Sequence, residues 1–126
     1  MKTNLNVIGA ALAGIAIGAA GIESIHAQMK PAGYVVIELE VTDPIGWKNY
    51  TDAARALPPT PGATAIVQTA KATALAGEPP KTIRIVKFAS LDDALAFNAS
   101  PGYTALKANR DKSSNWRSYA VEGLPN

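Results

Sequence analysis

The sequence predicts an α+β domain whose elements follow the order βαββαβ. Two observations carry this prediction. Several segments alternate apolar and polar residues or are rich in β-branched residues, and helix-start signals follow the first and the third of these segments. This order is typical of the ferredoxin-like arrangement, an antiparallel sheet with both helices on one face.

The first strand is predicted over residues 33–42, where apolar side chains recur at every second position. One face of this strand is entirely apolar and carries Val35, Ile37, Leu39 and Val41. The other face is mixed and carries Tyr34, Val36, Glu38 and Glu40. Because successive side chains of a strand point to opposite faces, we expect the apolar face to pack under the helices.

The first helix is predicted to begin at Asp43-Pro44. The aspartate can accept hydrogen bonds from free backbone amides, and the proline has a backbone angle that suits the first helical position. An apolar stripe at spacings of three and four residues follows, made of Trp47, Tyr50, Ala54 and Leu57. The proline-rich run over residues 58–62 ends this helix.

Three further strands complete the predicted sheet. Residues 63–68 are a weaker strand, and residues 69–80 are a loop rich in Ala, Thr and Pro that connects it to its neighbour as a hairpin. Residues 82–88 are rich in β-branched side chains, and residues 116–122 close the order as the fourth strand.

The second helical region carries two start signals. Ser90 resembles a helix cap, with Asp93 three positions later in the pattern of a capping box. Ser100-Pro101 predicts a break and a renewed helical segment, on which Tyr103 and Arg110 lie.

The N-terminal residues have the layout of a secretory signal peptide. Lys2 precedes residues 7–22, an uncharged run rich in Gly and Ala. Because this run is short for a membrane span of about 20 residues, a retained anchor is the less favoured alternative. Cleavage is predicted after Ala27, with residues 18–20 as an earlier alternative site, so we expect a periplasmic or secreted protein.

Removal of residues 1–27 leaves a single domain over residues 28–126 without histidine or cysteine, because His26 is the only histidine and the chain has no cysteine. These absences argue against the usual zinc and haem ligand sets, His-activated nucleophiles and disulfides, and no cofactor is expected. The formal net charge of +2, without a basic cluster, gives no indication of nucleic-acid binding.

Several short motifs occur in an order that resembles the family called domain of unknown function 1330. They are Gly33-Tyr34, Thr42-Asp43-Pro44 with Tyr50, Gly77-Glu78, Lys87-Phe88-Ala89-Ser90-Leu91, and Ser100-Pro101-Gly102-Tyr103 followed by Arg110. The resemblance spans nearly all of residues 33–123. It implies a dimeric α+β barrel, in which two ferredoxin-like sheets pack face to face. Relatives in that superfamily include small monooxygenases and isomerases, so an enzyme is conceivable by analogy.

The mixed face of the first strand supplies the main candidate site. In a barrel dimer this face is enclosed, so Tyr34, Glu38 and Glu40 are predicted to contact a ligand there. Lys87 of the third strand is the favoured cation to meet the carboxylates, and Arg84 replaces it if that strand has the other parity. Carboxylates near a cation can position a proton donor or hold a polar substrate. The alternative is a salt-bridged dimer interface without catalysis.

A second candidate pair is Tyr103 with Arg110, which lie about two turns apart on one side of the last helical segment. They are predicted to line the entrance of a pocket. The alternative is that the tyrosine is amphipathic core and the arginine a surface or interface charge.

Two classes of function stay open. The favoured one is an exported homodimer that is non-catalytic or binds a small molecule between its sheets. The alternative is a cofactor-independent enzyme, monooxygenase-like or isomerase-like, that acts on a small carbonyl or aromatic compound with Glu38 or Glu40 as the base. No metal, nucleic acid or stable membrane anchor is expected in either case.

Overall fold

The computed structural model describes residues 30–125 of the chain, so the predicted signal peptide over residues 1–27 lies outside the described residues. The strands are β1 (Gly33–Val41), β2 (Thr64–Thr69), β3 (Thr82–Phe88) and β4 (Ser114–Glu122). The helices of the described part are α1 (Pro44–Arg55), α2 (Leu91–Ala99), α3 (Pro101–Thr104) and α4 (Lys107–Ser113). The predicted βαββαβ order is confirmed, with its second helical region divided among α2, α3 and α4.

The four strands form one antiparallel sheet in the order β2-β3-β1-β4. Strand β1 is central, because β3 pairs with it along one edge and β4 along the other. Ile37 of β1 lies opposite Arg84 of β3 and Ser118 of β4, and all three line the space beneath α1 and α2. We call this side of the sheet the helix face and the opposite side the outer face.

The predicted division of β1 into two faces is confirmed. Ile37 and Leu39, on the helix face, are each only 7% exposed. Glu40 and its neighbours of the same parity lie on the outer face, because side chains along a strand alternate. The sheet therefore presents an apolar surface to the helices and a mixed surface to the other side.

Helix α1 begins where the sequence predicts it. The backbone amide of Ile45 donates a hydrogen bond of 3.2 Å to the Asp43 carboxylate, and Pro44 is the first helical residue. Residues 60–63 then form a turn in which the Ala63 amide donates to the Thr60 carbonyl at 3.1 Å. Gly62 has a φ of 78° in this turn, a left-handed conformation that favours glycine after proline.

The two predicted helix starts in the second half are also confirmed. The Ser90 hydroxyl accepts a hydrogen bond of 3.1 Å from the Asp93 amide and caps α2. Ser100 adopts an extended conformation, as expected for a residue before proline, and its hydroxyl caps α3 by accepting from the Tyr103 amide. The resulting change of direction buries Tyr103, which is 7% exposed.

A pair of buried serines joins α4 to β4, a feature that the sequence pattern does not predict. The amides of Thr42 and Asp43 donate to the Ser113 carbonyl at 2.9 and 3.1 Å. The hydroxyl of Ser114 donates to the Arg110 carbonyl at 2.7 Å. These bonds tie the end of α4 to the end of β1.

Within the described residues, no helix is long and apolar enough to cross a membrane.

Gly33 permits the closest backbone approach around β1. A Cβ atom at this position would lie 2.5 Å from the Ser90 carbonyl oxygen and 2.6 Å from the backbone of Leu91. Because these neighbours are backbone atoms at the start of α2, they cannot move aside as a flexible side chain would.

We therefore expect Gly33→Ala to lower the free energy of unfolding by about 1–3 kcal/mol, the usual cost of overpacking. Urea denaturation followed by circular dichroism measures this change. Gly102→Ala is the matched control, since its Cβ would meet only the flexible Leu57 side chain at 3.1 Å. Equal stability of Gly33→Ala and the wild type would contradict the proposed close approach.

Candidate functional site

A cavity of about 630 Å³ lies between the helix face of the sheet and the helices that cover it. This volume falls within the range of about 300–1,000 Å³ that is common for small-molecule sites. Its walls come from α1, α2 and all four strands, with Tyr103 of α3 between them. The buried side chains of Ile37, Leu39 and Phe88 form part of its floor.

Aromatic rings form much of the cavity wall. The ring centroids of Trp47 and Tyr50 on α1 are 5.0 Å apart, and Trp116 of β4 lies 6.1 Å from Trp47 and 6.2 Å from Tyr50. On another side, Phe97 of α2 stacks on Tyr103 at 4.8 Å. Rings at these distances stabilise one another and present flat apolar surfaces to the cavity.

Two buried phenols and a guanidinium meet at this wall. The hydroxyls of Tyr50 and Tyr103 are 3.1 Å apart and share a hydrogen bond, and Nη1 of Arg110 donates to the Tyr103 hydroxyl at 3.2 Å. The Arg110 guanidinium also lies 4.7 Å from the ring centroid of Trp116, a cation–π contact. Tyr103 and Arg110 therefore lie together with Tyr50, but on two helices, α3 and α4, rather than on one segment. Tyr103 lines the cavity as predicted, whereas Arg110 lies behind it.

The ionisation of these groups follows from their burial and hydrogen bonds. Burial raises the pKa of Tyr50 well above its ordinary value, and the hydrogen bond to Tyr103 raises it further. Burial acts to lower the pKa of Arg110, but the hydrogen bonds to Asp111 and Tyr103 outweigh it and the pKa is raised. Tyr50 in the wall therefore keeps its proton and Arg110 behind the wall keeps its charge, so neither group can act as a general base.

Arg84 stands on the floor of the cavity with Gln68 beside it. Strand β2 pairs with β3 so that Gln68 lies directly opposite Arg84, and both residues line the cavity. The sequence favours Lys87 over Arg84 as the partner of the β1 carboxylates. In the structure the Arg84 and Lys87 side chains lie on opposite faces of the sheet. Arg84 faces the helices, so the sheet separates it from Glu38.

The predicted carboxylate site on the outer face has a different cation from the one expected. Glu38 accepts hydrogen bonds from Arg117 at 2.6 Å and from the Tyr119 hydroxyl at 3.1 Å, both on β4. Lys87 projects to the outer face as predicted, but the register places it opposite Tyr34 rather than near Glu38. The structure therefore does not bring Lys87 and Glu38 together.

The environment of Glu38 makes it a weak base. The hydrogen bond from Arg117 is the largest influence and lowers the pKa of Glu38, while partial burial opposes it. Glu40 is exposed and lies with Glu38 and Glu78 beside a shallower groove of about 340 Å³.

Within residues 30–125, no cluster of three or more potential ligand side chains could hold a metal ion.

The site predicted from the sequence lies on the outer face, and the sequence-based prediction does not include the cavity on the helix face. The relevant signal is the stripe of α1, in which a tryptophan and a tyrosine replace the aliphatic side chains of an ordinary core helix. In the structure the rings of Trp47 and Tyr50 line the cavity. The second signal for the cavity is Arg84, a charged residue of β3 whose side chain faces the helices.

We expect Tyr103→Phe to lower the free energy of unfolding by about 1–3 kcal/mol, because it removes the buried hydrogen-bond partner of both Tyr50 and Arg110. Tyr34→Phe removes a hydroxyl that makes no hydrogen bond with any described residue and should change stability by less than about 0.5 kcal/mol. Chemical denaturation of both variants measures the difference. Equal effects of the two substitutions would show that the buried hydroxyl contact does not contribute.

Known proteins resemble this chain in fold and, for one family, in sequence. A protein of unknown function from Rhodopseudomonas palustris is 16% identical, with 80% of this chain and 92% of that chain aligned and a TM-score of 0.55. A dimeric ferredoxin-like protein of unknown function from Bacteroides fragilis is 14% identical over 73% of this chain and 96% of its own, with a TM-score of 0.47.

SnoaB, a cofactor-independent oxygenase from Streptomyces nogalater, is 10% identical over 76% of this chain and 96% of its own, with a TM-score of 0.48. At 16% identity and a TM-score of 0.55, the similarity to the Rhodopseudomonas palustris protein shows a shared fold alone. No protein with a curated description matches the chain in sequence. A family model does match, over residues 32–124, and the chain therefore belongs to the family described as domain of unknown function DUF1330.

Proposed function

We propose that this domain binds a small, planar and largely apolar molecule in the cavity on the helix face. The observation that carries the proposal is the cavity itself, a space of about 630 Å³ with Trp47, Tyr50 and Trp116 on its walls. Apolar concave sites with a few polar groups are the usual form of small-molecule sites. Flat indole and phenol surfaces favour a ligand that is itself flat.

The polar groups of the cavity support binding rather than proton abstraction. Its described lining contains no Asp, Glu or His, and Tyr50 keeps its proton because burial raises its pKa. Glu38 and Glu40, the bases of the enzymatic alternative, lie on the other side of the sheet. A base on the outer face cannot reach a molecule held between the sheet and the helices, because general base catalysis requires hydrogen-bond contact.

We further propose that the outer face is the surface through which two copies associate. Val36 lies between Ile85 of β3 and Tyr119 of β4, and Tyr119 and Val121 are 46% and 44% exposed. A contiguous apolar patch on a sheet face is typical of an interface. The Glu38–Arg117 ion pair borders this patch and supplies polar contacts at its edge.

Export and removal of residues 1–27 are part of the same proposal. The support is the layout of the N-terminal segment, with Lys2 followed by an uncharged run rich in Gly and Ala. On this account the mature domain acts outside the cytoplasm as a binding protein.

Ala54 lines the cavity from α1, so Ala54→Phe is expected to fill part of it. We predict that this substitution weakens binding of 2-naphthamide, a neutral planar probe, by about tenfold or more. The only two tryptophans of the chain, Trp47 and Trp116, both line the cavity. Their indole NMR signals therefore report on binding at the proposed site.

Ala96→Phe is the matched control, because Ala96 is exposed on α2 and does not line the cavity. This variant should bind the probe as the wild type does. Probe-induced shifts confined to outer-face residues, or no binding by the wild type, would overturn the proposed site.

We predict that N-terminal sequencing of the mature protein begins at Gln28. We also predict that the mature protein sediments as a dimer at micromolar concentration. Val36→Asp should shift the protein to monomer, because a charge at the centre of an apolar interface is costly to bury. Ala96→Asp, on an exposed helix position, should leave the dimer intact. Retention of Met1 in exported material, or a wild-type monomer, would contradict this part of the proposal.

A further inference from the structure

We propose that the ligand of the helix-face cavity is an aromatic carboxylate whose anionic group is held by Arg84. This inference rests on the proposed function and adds the chemical class of the ligand. The aromatic walls would receive the planar ring, and the floor of the sheet would receive the carboxylate.

The first support is the absence of an intramolecular partner for Arg84. Among residues 30–125, the arginines with ion-pair partners are Arg110, which pairs with Asp111, and Arg117, which pairs with Glu38. Arg84 makes no ion pair and no side-chain hydrogen bond with any described residue. Its guanidinium stands in the cavity with all of its donors available.

The second support is the charge of the cavity. Its described lining contains two arginines, Arg55 and Arg84, and no acidic residue. Arg110 lies immediately behind the wall, but its ion pair with Asp111 neutralises it, so the positive charge of the cavity comes from Arg55 and Arg84. A cavity with this charge favours an anion over a neutral or cationic molecule of the same shape.

The third support is the neighbour of Arg84 on the sheet. Gln68 lies directly opposite it on β2 with its side chain on the same face, and its amide makes no hydrogen bond with any described residue. A guanidinium can donate two parallel hydrogen bonds to a carboxylate, and an adjacent amide can donate a further one. This arrangement matches a planar carboxylate better than a spherical ion.

The distance between the anion site and the aromatic wall suits a single small molecule. Arg84, Trp47 and Tyr50 all line the same cavity of about 630 Å³. A ring in contact with Tyr50 and Trp47 can therefore carry a carboxylate that reaches Arg84 without a long linker.

The test compares 2-naphthoate with 2-naphthamide by isothermal titration calorimetry at neutral pH. The two probes share one ring system, and the carboxylate is ionised because its ordinary pKa lies near about 4. We expect the wild type to bind 2-naphthoate about tenfold more tightly than 2-naphthamide. Added salt should weaken binding of the naphthoate and leave that of the naphthamide unchanged.

Arg84→Met keeps the length of the side chain and removes its charge. In this variant the preference for 2-naphthoate should disappear, while 2-naphthamide binds as before. Because Arg84 is exposed to the cavity and supports no other residue, the variant is expected to fold normally. Lys112→Met is the control, since it removes a positive charge from an exposed position of α4 outside the cavity.

The outcomes separate the two proposals. Equal binding of both probes by the wild type, or a naphthoate preference that survives in Arg84→Met, would overturn the assignment of Arg84 and leave the proposed cavity in place. Failure of both probes to bind would overturn the inference together with the proposed function.

Discussion

The backbone hydrogen bonds that hold β1 between β3 and β4 determine which side chains can meet on each face of the sheet. A shift of one residue in either pairing would move every side chain of the shifted strand to the other face. In the observed register, Arg84 and Ser118 flank Ile37 on the helix face, whereas Arg117 lies opposite Glu38 on the outer face. The cavity and the ion pair are therefore two consequences of one pattern of strand pairing.

The two faces consequently carry different chemistry. On the outer face Glu38 pairs with Arg117, and this contact lowers the pKa of Glu38. The rest of that face is mainly an apolar patch around Val36. The helix face leaves Arg84 without a carboxylate partner among the described residues and places it in a cavity that aromatic rings also line. Intramolecular neutralisation on one side and an available positive charge on the other are the basis for proposing that a ligand binds in the cavity and a second copy binds the outer face.

Much of the fold could be predicted from the sequence because its signals are local. The alternation along β1, the cap at Asp43 and the extended residue before Pro101 each depend on neighbours within a few positions. The partner of Glu38 could not be predicted in this way. Arg117 is 79 residues away along the chain, and only the β1–β4 register brings the two side chains together. The predicted cation lies on β3, whereas the observed one lies on β4.

The cavity could not be predicted from the sequence either, for a different physical reason. Periodicity identifies which residues of α1 face the sheet, but it does not show whether they fill the space between the two layers. Trp47 and Tyr50 lie on the predicted stripe, yet their rings stand beside a cavity rather than closing it. The hydrogen bond between Tyr50 and Tyr103, which links residues 53 positions apart, depends on the turn at Ser100 and Pro101.

A crystal structure of the protein with 2-naphthoate tests the central claim most directly. The account predicts the naphthalene ring between the helices and the sheet, in contact with Trp47 and Tyr50, and the carboxylate within hydrogen-bond distance of Arg84. A naphthoate molecule bound between two outer faces, beside Glu38 and Lys87, would contradict it.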